Sequence, residues 1–236
     1  MSSTETSSTT QRAAWDRMAR EDAQFYVLSQ GSPGDTISED DFYQTGRRLV
    51  DRVLSDAPPA ATDLAVEIGC GVGRNLFPMA ERFGRAVGFD VSPEMARLTN
   101  EHERRPGNAE ARAIAEPRLA GIEDGAVDLV LCVIVFQHIP DWGVIEAYLH
   151  EAGRVLREGG VAALHFDTRR PSLARRAYMA LPDALLPKIH RRGMRRHPRA
   201  AALVRDAIGA AGLTIGRERG QGTDGHWFYC GKGGQA

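Results

Sequence analysis

A turn built on three alternating glycines, Gly69, Gly71 and Gly73, constrains this chain more than any other stretch. The run from Leu64 to Gly69 predicts a β-strand, and Arg74 to Phe83 predicts the helix that follows it. Glycine has no Cβ atom, so such a turn can adopt left-handed dihedral angles and bring its backbone against a ligand. Open α/β sheets bind their ligands at the carboxyl ends of the strands, where this turn lies. The segment therefore predicts a ligand-binding loop.

The spacing of these glycines differs from that of a dinucleotide fingerprint. That fingerprint is G-x-G-x-x-G, with a pyrophosphate at the helix N-terminus, whereas the third glycine here comes one residue early. An acidic residue, Glu67, also lies two positions before the first glycine, where it would repel a pyrophosphate. The turn therefore favours a ligand that carries positive charge and no phosphate, and a purely structural turn is the alternative.

A second acidic residue, Asp90, ends the next predicted strand, Arg85 to Asp90. It lies seventeen residues after Gly73, where a carboxylate can accept hydrogen bonds from both hydroxyls of a ribose. Ser92 and Pro93 then have the residue types of an N-cap and a first helical position. Helix capping is the alternative role for Asp90.

These segments resemble the motifs of class I S-adenosylmethionine (SAM)-dependent methyltransferases. The first motif is E-x-G-x-G-x-G, here Glu67 to Gly73, and the second is Gly-Phe-Asp-Val-Ser-Pro-Glu-Met, here residues 88–95. A third match is Glu116-Pro117, after the predicted strand Glu110 to Ala115. The fourth is an apolar strand from Val127 that leads to Phe136-Gln137-His138. The resemblance covers residues 64–160 well and the two ends of the chain in outline.

The resemblance implies SAM as the cofactor and S-adenosylhomocysteine (SAH) as its product. The resemblance implies that Asp90 holds the ribose and that Val91 and Met95 border the adenine. At the position of Glu116 the family usually has Asp, which accepts from the adenine amino group, followed by a small apolar residue. The chain departs from this pattern twice: Glu116 keeps the acceptor but reaches further, and Pro117 has no N–H to offer adenine. Arg47, twenty positions before Glu67, is a candidate for binding the SAM carboxylate, with a solvated arginine as the alternative. The other candidate cofactor-binding residues are Glu67, Gly69, Cys70, Gly71, Gly73, Asp90, Val91, Met95, Glu116, Pro117 and Cys132.

Two histidines are candidates for the catalytic base. His138 follows the fourth strand at the carboxyl edge of the predicted sheet, and His165 lies near the end of the fifth strand, Val161 to Phe166. Imidazole titrates near neutrality, and a hydroxyl or a protonated amine must lose a proton when it accepts a methyl group. A structural or substrate-binding role is the alternative for each. The cysteine and histidine spacing is not typical of a metal site, so no metal is expected.

Strands and helices alternate along the chain in a pattern that predicts βαβ units and a parallel sheet. The helix Trp142 to Arg157 is predicted to end at Gly159-Gly160, and two last strands are predicted over 213–218 and 226–231. The resemblance implies an α/β fold, Rossmann-like, with a seven-stranded mostly parallel sheet, a C-terminal antiparallel hairpin, N-terminal helices and a lid insertion after the fifth strand.

The predicted domain organisation has three parts. Residues 1–10, rich in Ser and Thr, are predicted to be a disordered tail, residues 11–60 an N-terminal helical cap, and residues 61–236 the SAM-binding domain. In the cap, Ser38 and Asp41 have the spacing of a capping signal. Trp15, Tyr26 and Tyr43 are the cap's candidate substrate contacts, with core packing as the alternative for each.

A basic segment, residues 169–199, contains ten Lys or Arg, two His and one Asp. Insertions at this place in the family commonly form a substrate lid, and a helical insertion is expected here. Arg195 and Arg196 are its candidates for binding an acidic group, on a small molecule, a peptide or a carrier protein. A solvated basic helix is the alternative. The aromatic residues do not alternate with the basic ones, which disfavours nucleic acid.

Composition sets broader limits on function. A net charge of −1 implies no general attraction to nucleic acid or to a membrane surface, and three separated cysteines suit a reducing cytoplasm. We therefore predict a cytoplasmic enzyme that methylates an O or N nucleophile of a small molecule, in specialised metabolism. The alternatives are methylation of a peptide or protein through the basic lid, a SAM-binding module without methyl transfer, and an NAD oxidoreductase.

Overall fold

The computed structural model describes residues 3–28, 37–170, 173, 177–178, 181–186 and 194–233, with the backbone alone for residues 3–10 and 183. The helices are α1 Ser3–Leu28, α2 Glu39–Asp56, α3 Leu76–Ala80, α4 Pro93–Glu101, α5 Trp142–Val155 and α6 Ala201–Ala210. The strands are β1 Leu64–Ile68, β2 Arg85–Asp90, β3 Ala109–Ala113, β4 Val127–Cys132, β5 Leu156–Phe166, β6 Leu213–Arg219 and β7 His226–Lys232. None of the described helices is long and apolar enough to cross a membrane.

The strands form one sheet in the order β3-β2-β1-β4-β5-β7-β6. The strands from β3 to β5 pair in parallel, and β7 is antiparallel to both of its neighbours. The predicted fold class is therefore confirmed. The chain leaves β1 for β2 on one side and returns beside β1 with β4, so the order reverses between β1 and β4. Such a reversal opens a crevice at the carboxyl ends of the two strands.

Apolar side chains cover both faces of the sheet. Every residue of β4 is buried, as expected for a central strand with helices on both sides. One core lies between the sheet and helices α5 and α6, and it includes Ile145, Leu149 and Ile208. The core on the other face contains residues of α2, α3 and α4, among them Val53 and Met79. The two layers fix the strand ends that border the crevice.

Helix α2 packs directly on the glycine turn. Its predicted N-cap is confirmed, because Ser38 Oγ accepts a hydrogen bond from the Asp41 amide at 3.1 Å. A Cβ atom added to Gly46 of this helix would lie 1.8 Å from the carbonyl oxygen of Arg74. The absence of a side chain at Gly46 therefore lets the helix backbone approach the segment that follows the turn.

The N-terminal helix differs from the sequence-based expectation in two ways. It begins at Ser3, whereas residues 1–10 were expected to be a disordered tail. Once packed residues from Gln11 onward nucleate a helix, each residue added before them gains a hydrogen bond without a new nucleation step. The helix is also kinked at Asp22, where the dihedral angles are not helical. Asp22 Oδ1 accepts from the Phe25 amide at 3.0 Å, so Asp22 caps a second helical segment.

The other differences lie at element boundaries. Helix α3 spans Leu76–Ala80 only, and α5 ends at Val155, before the Gly159-Gly160 pair expected to terminate it. Those glycines lie within β5, where the pairing register with β4 shifts between Val127 and Leu129. Gly159 has a φ of 76°, a value that glycine adopts readily, so the pair accommodates an irregularity in the strand and does not cap the helix.

Much of the predicted lid, residues 169–199, falls outside the described residues. Asp183–Leu185 form a short 3-10 turn, and Met194 is buried in a cluster with Met18, Phe25 and Tyr26 of α1. The lid and the domain boundaries stay predictions.

Gly153 provides a test of the packing between helix α5 and the turn after α6. A Cβ atom at Gly153 would lie 2.1 Å from the Ala211 carbonyl oxygen. We expect Gly153→Ala to lower the free energy of unfolding by about 1–3 kcal/mol, the usual effect of overpacking. Gly209→Ala is the matched control, since a Cβ atom there meets nothing within 4 Å. It should raise stability by up to about 1 kcal/mol. Urea denaturation measures both, and equal effects would contradict this packing.

Candidate active site

A cavity of about 420 Å³ lies at the carboxyl ends of the parallel strands, beneath helix α1. Its floor comes from the ends of β1, β2 and β4, and its walls come from α1, the segment after β3, and α5. Twelve residues singled out in the sequence line it: Trp15, Tyr26, Glu67, Gly69, Cys70, Gly71, Asp90, Val91, Met95, Glu116, Pro117 and His138. The fold therefore brings residues from distant parts of the chain to one site.

The glycine turn forms the part of the floor after β1. Gly69, Gly71 and Gly73 have φ angles of 74°, 53° and 84°, in the left-handed region that glycine tolerates. The amide and the carbonyl of Gly71 both form hydrogen bonds within the protein. Its amide donates to Asp90 Oδ2 at 2.9 Å, and its carbonyl accepts from Thr99 Oγ1 at 2.7 Å. The turn is thus held from the β2 and α4 side.

Asp90 is buried at the end of β2 and organises the neighbouring backbone. Its Oδ2 atom accepts from the Gly71 amide, and its Oδ1 atom accepts from the Ser92 amide at 2.9 Å. Burial raises the pKa of Asp90 to about 6, against the opposing effect of its hydrogen bonds from the Ser92, Gly71 and Val91 backbone. A carboxylate can accept about four hydrogen bonds, so Asp90 retains acceptor capacity for a ligand hydroxyl.

Glu67 and Arg74 are a buried acidic residue and a buried basic residue that line the same cavity. Glu67 Oε1 accepts from Asn75 Nδ2 at 2.7 Å, while Oε2 is buried without a hydrogen-bond partner. Burial raises the pKa of Glu67 to about 8. The Arg74 guanidinium donates to Thr45 Oγ1 at 3.3 Å, its Nε atom is unpartnered, and burial lowers its pKa. The pair suits a ligand that carries both an ammonium and a carboxylate group.

His138 lies on the opposite wall, in the 3-10 turn Phe136–His138. Its carbonyl oxygen accepts from Gln11 Nε2 at 3.1 Å, and its ring meets Trp15 edge-to-face with centroids 5.7 Å apart. Burial, and then the positive charge of Arg196, lower the pKa of His138 to about 3. The imidazole is therefore neutral at working pH and can accept a proton.

Helix α1 covers this wall and is fastened at several points. Asp16 Oδ1 accepts from Ser92 Oγ at 2.5 Å and from the Glu94 amide at 3.3 Å, at the start of α4. A Cβ atom on Gly71 would lie 2.6 Å from Val27 Cγ2, so α1 also touches the glycine turn. These contacts close the cavity from above.

Two of the predicted contacts lie elsewhere because helix α2 presents them to other partners. Arg47 forms an ion pair with Glu81 at the surface and does not line the cavity. Its neighbour Gly46 takes the position against the glycine turn. Tyr43 Oη donates to the Val72 carbonyl at 3.2 Å, and its ring stacks on Phe77. Tyr43 therefore supports the turn from outside the cavity.

Three further predicted site residues, Cys132, Gly73 and His165, do not line the cavity. Cys132 is fully buried in the core between the sheet and α5, because its side chain points into that core. Gly73 does not line the cavity, and a Cβ atom there would lie 2.5 Å from the Phe77 ring. His165 is buried on β5 outside the cavity, with its Nδ1 atom 3.4 Å from the Ile134 amide.

Arg195 and Arg196 are also absent from the cavity lining within the described part of the chain. Arg196 forms an ion pair with Asp224 at 3.2 Å, in the connection before β7. Its charge still acts on His138 by lowering its pKa. The predicted grip of these arginines on an acidic group is thus not part of the described site.

Sequence reasoning did not single out several residues that line the cavity. Arg74 directly follows the glycine turn in the sequence, and that position was a usable signal. On α5, Val144, Ala147 and Tyr148 line the cavity with the spacing i, i+3 and i+4, which places them on one helix face. Gln11 lines the cavity because helix α1 packs over it, and the local sequence does not predict where that helix packs.

Comparison with known proteins identifies methyltransferases as relatives of this chain. A family model described as a methyltransferase domain matches residues 66–164. The nocamycin O-methyltransferase of Saccharothrix syringae is 32% identical over 198 residues, which cover 75% of this chain and 67% of that protein. The ubiquinone biosynthesis O-methyltransferase of Methylococcus capsulatus is 32% identical over 116 residues, covering 49% of this chain and 46% of that protein. The chain thus spans about half the length of the latter relative.

A solved structure resembles the whole chain. Magnesium protoporphyrin IX methyltransferase from Synechocystis PCC 6803, with bound SAH, superposes with a TM-score of 0.65 at 18% identity. The match covers 95% of this chain and 99% of that chain. At this level of identity the likeness shows the fold alone.

The raised pKa of Glu67 predicts how the stability of the ligand-free protein depends on pH. Its pKa is 4.5 ordinarily and about 8 in the fold, so between these values the folded state holds a proton that the unfolded state has lost. Stability should therefore fall with rising pH, by at most about 1.4 kcal/mol per pH unit from this group. Glu67→Gln should remove that slope.

The measurement is urea denaturation from about pH 6.5 to 8, where the native pKa values of Asp90 and His138 lie below the range. Arg47→Ala is the control and should keep the parental slope. An unchanged slope in Glu67→Gln would show that Glu67 is ionised in the native site.

Proposed function

We propose that this chain, a member of the class I SAM-dependent methyltransferases, transfers the methyl group of SAM to an oxygen atom of a small molecule. The observation that carries the proposal is the single cavity that joins the glycine turn and Asp90 to His138 and Trp15. One half has the groups that SAM requires, and the other half offers an aromatic wall with a neutral imidazole.

The residues of the first half fit SAM. Asp90 lines the cavity and retains acceptor capacity for the ribose hydroxyls. Glu67 has an unpartnered oxygen for the ammonium group, and Arg74 has an unpartnered nitrogen for the carboxylate. For the adenine we propose the apolar slot between Val91, Met95 and the α5 face. The cavity volume is within the usual range for small-molecule sites.

Glu116 and Pro117 line the cavity where the family contacts the adenine amino group. Glu116 has a carboxylate acceptor for that group. Pro117 has no N–H to donate to the adenine. We therefore propose that the Glu116 carboxylate binds the adenine amino group without a second hydrogen bond from the backbone of Pro117.

SAM supplies an electrophilic methyl group on a positively charged sulfur. When bound, SAM would give this methyl group to the acceptor oxygen and would leave as neutral SAH, so the acceptor hydroxyl would have to lose its proton. We propose that His138 takes that proton. An oxygen that is forming a third bond is strongly acidic, so a neutral imidazole of low pKa is sufficient. Trp15 and Tyr26 align the acceptor and exclude water, which is the main contribution of the protein to such a displacement.

Oxygen is the proposed acceptor atom because both curated relatives compared above are named O-methyltransferases. Their names refer to different molecules, so neither acceptor is transferred to this chain. Specialised metabolism stays part of the proposal. Methylation of a peptide or protein through the basic segment is disfavoured, since Arg196 is paired with Asp224 and neither Arg195 nor Arg196 lines the cavity.

The reaction can be tested with SAM labelled in its methyl group and a panel of phenols, carboxylic acids and amines. The proposal expects label in an ether or ester product. Label transferred only to amines would overturn the choice of oxygen. If neither the panel nor cell extracts yield a labelled product, the result would count against methyl transfer itself.

The Asp90 carboxylate should account for much of the SAM affinity. Charge-assisted hydrogen bonds contribute about 1.5–3 kcal/mol, so Asp90→Ala should weaken SAM binding by about 10- to 100-fold in titration calorimetry. Thr99→Val is the matched control, because it removes the other hydrogen bond that holds Gly71 and leaves Asp90 in place. If both variants lose affinity equally, Asp90 acts only by holding the turn.

His138→Ala should lower turnover by about 10²- to 10⁴-fold, the usual range for general-base catalysis, and leave SAM affinity nearly unchanged. Because the pKa of His138 is about 3, turnover of the parent enzyme should show no acid limb from this residue between about pH 5 and 8. The loss in the variant should shrink as pH rises and the acceptor ionises unaided. Parental turnover in His138→Ala from about pH 6 to 9 would make His138 a bystander.

A further inference from the structure

We propose that His165 is a positioning residue, which holds a strained backbone turn at Ile134 and thereby sets the wall against which the methyl acceptor is aligned. The inference rests on the proposed function, and it assigns a role to a histidine that lies outside the cavity.

Ile134 has an unusual backbone conformation. Its φ angle is 60°, and among the described residues it is the one non-glycine residue with a positive φ. A β-branched side chain in the left-handed region is a true outlier, and such strain persists only where the surroundings enforce it. Glycine is the residue that adopts this conformation without strain, so the chain keeps isoleucine here against its local preference.

The turn at Ile134 lies on the wall of the active site. It follows the end of β4, and its three residues, Val133, Ile134 and Val135, all line the cavity. The 3-10 turn with His138 begins directly after it. Val135 also packs on the glycine turn, since a Cβ atom on Gly69 would lie 2.2 Å from Val135 Cγ2. A change in this turn would therefore move the proposed base and the wall together.

His165 supplies the hydrogen bond that the sheet no longer provides there. The last pair in the parallel ladder of β4 and β5 is Cys132 with Leu164, so the Ile134 amide lies beyond the regular pairing. Ile134 is partly buried, and an amide that is shielded from water and lacks a partner is costly. The amide instead donates to His165 Nδ1 at 3.4 Å, a side-chain contact that replaces the next step of the ladder.

The environment of His165 fits this acceptor role. Its ring is buried and meets Trp227 edge-to-face, with centroids 5.1 Å apart, which fixes the orientation of the ring. Burial, and then the charge of Arg196, lower the pKa of His165 to about 4. The ring is therefore neutral at working pH, and the hydrogen bond from the Ile134 amide assigns its proton to Nε2, which leaves the Nδ1 lone pair as the acceptor.

The test compares variants that separate the hydrogen bond from the packing. His165→Phe keeps a ring and removes the acceptor, whereas His165→Asn places an amide oxygen near the position of Nδ1. We expect His165→Phe to lower kcat by about 10- to 100-fold, as a misplaced reacting group does, with SAM affinity unchanged. His165→Asn should keep kcat within about threefold of the parent.

The same His165 substitution in an Ile134→Gly variant separates the effect of backbone strain from the effect of packing. In Ile134→Gly the turn no longer needs support, because glycine adopts its φ angle freely. Adding His165→Phe to Ile134→Gly should therefore change kcat by less than about threefold, a strongly non-additive result. Equal losses from His165→Phe in both backgrounds, or a loss in His165→Asn as large as in His165→Phe, would overturn the proposal and leave His165 as a packing residue.

Hydrogen exchange on the parent protein gives a readout that needs neither a variant nor turnover. The Ile134 amide should be protected, and rapid exchange of this amide would overturn the proposal even if His165→Phe does not fold. A parent that transfers methyl groups while Ile134 exchanges rapidly would refute this inference alone. A parent with a protected Ile134 amide and no methyl transfer to any acceptor would refute the proposed function instead.

Discussion

The hydrogen bond from the Gly71 amide to the Asp90 carboxylate joins the two strand ends on which the site depends. β1 and β2 are neighbours in parallel register, so their carboxyl ends necessarily meet at one edge. The glycine turn after β1 directs the Gly71 amide toward Asp90, with Gly71 at a φ of 53° that glycine tolerates. The same carboxylate also binds the Ser92 amide, so a single buried group orders the turn, the strand end and the start of α4.

Two buried carboxyl groups make this edge suited to a cationic ligand. Glu67 and Asp90 are both buried, and burial raises the pKa of each. A ligand with positive charge would compensate for this burial, because an opposite charge nearby favours the ionised form of a carboxyl group. Helix α1 then excludes water from above through Asp16 and Trp15, which strengthens every electrostatic interaction beneath it. The affinity of the site for SAM is therefore expected to depend on closure by α1.

Much of the fold and half of the site could be predicted from local sequence. The strand β2 has the predicted bounds Arg85–Asp90, and β4 could be recognised because its residues are apolar without interruption. Glu67, Gly71 and Asp90 were predictable because their spacing follows from strand and turn geometry. Arg47 and Tyr43 show the limit: the face that a helix presents to a cavity depends on tertiary packing. The strained turn at Ile134 had no signal either, since isoleucine is a poor choice for a left-handed conformation.

Proton release on binding tests most directly whether Glu67 and the glycine turn form the SAM site. At pH 7 the Glu67 carboxyl, with a pKa of about 8, is mostly protonated in the free protein. Calorimetric titration with SAM in buffers of different ionisation enthalpy should show release of about one proton as Glu67 ionises beside the ligand's ammonium group. Glu67→Gln should bind SAM more weakly and release none. Tight SAM binding with the same proton release in parent and Glu67→Gln would contradict the account.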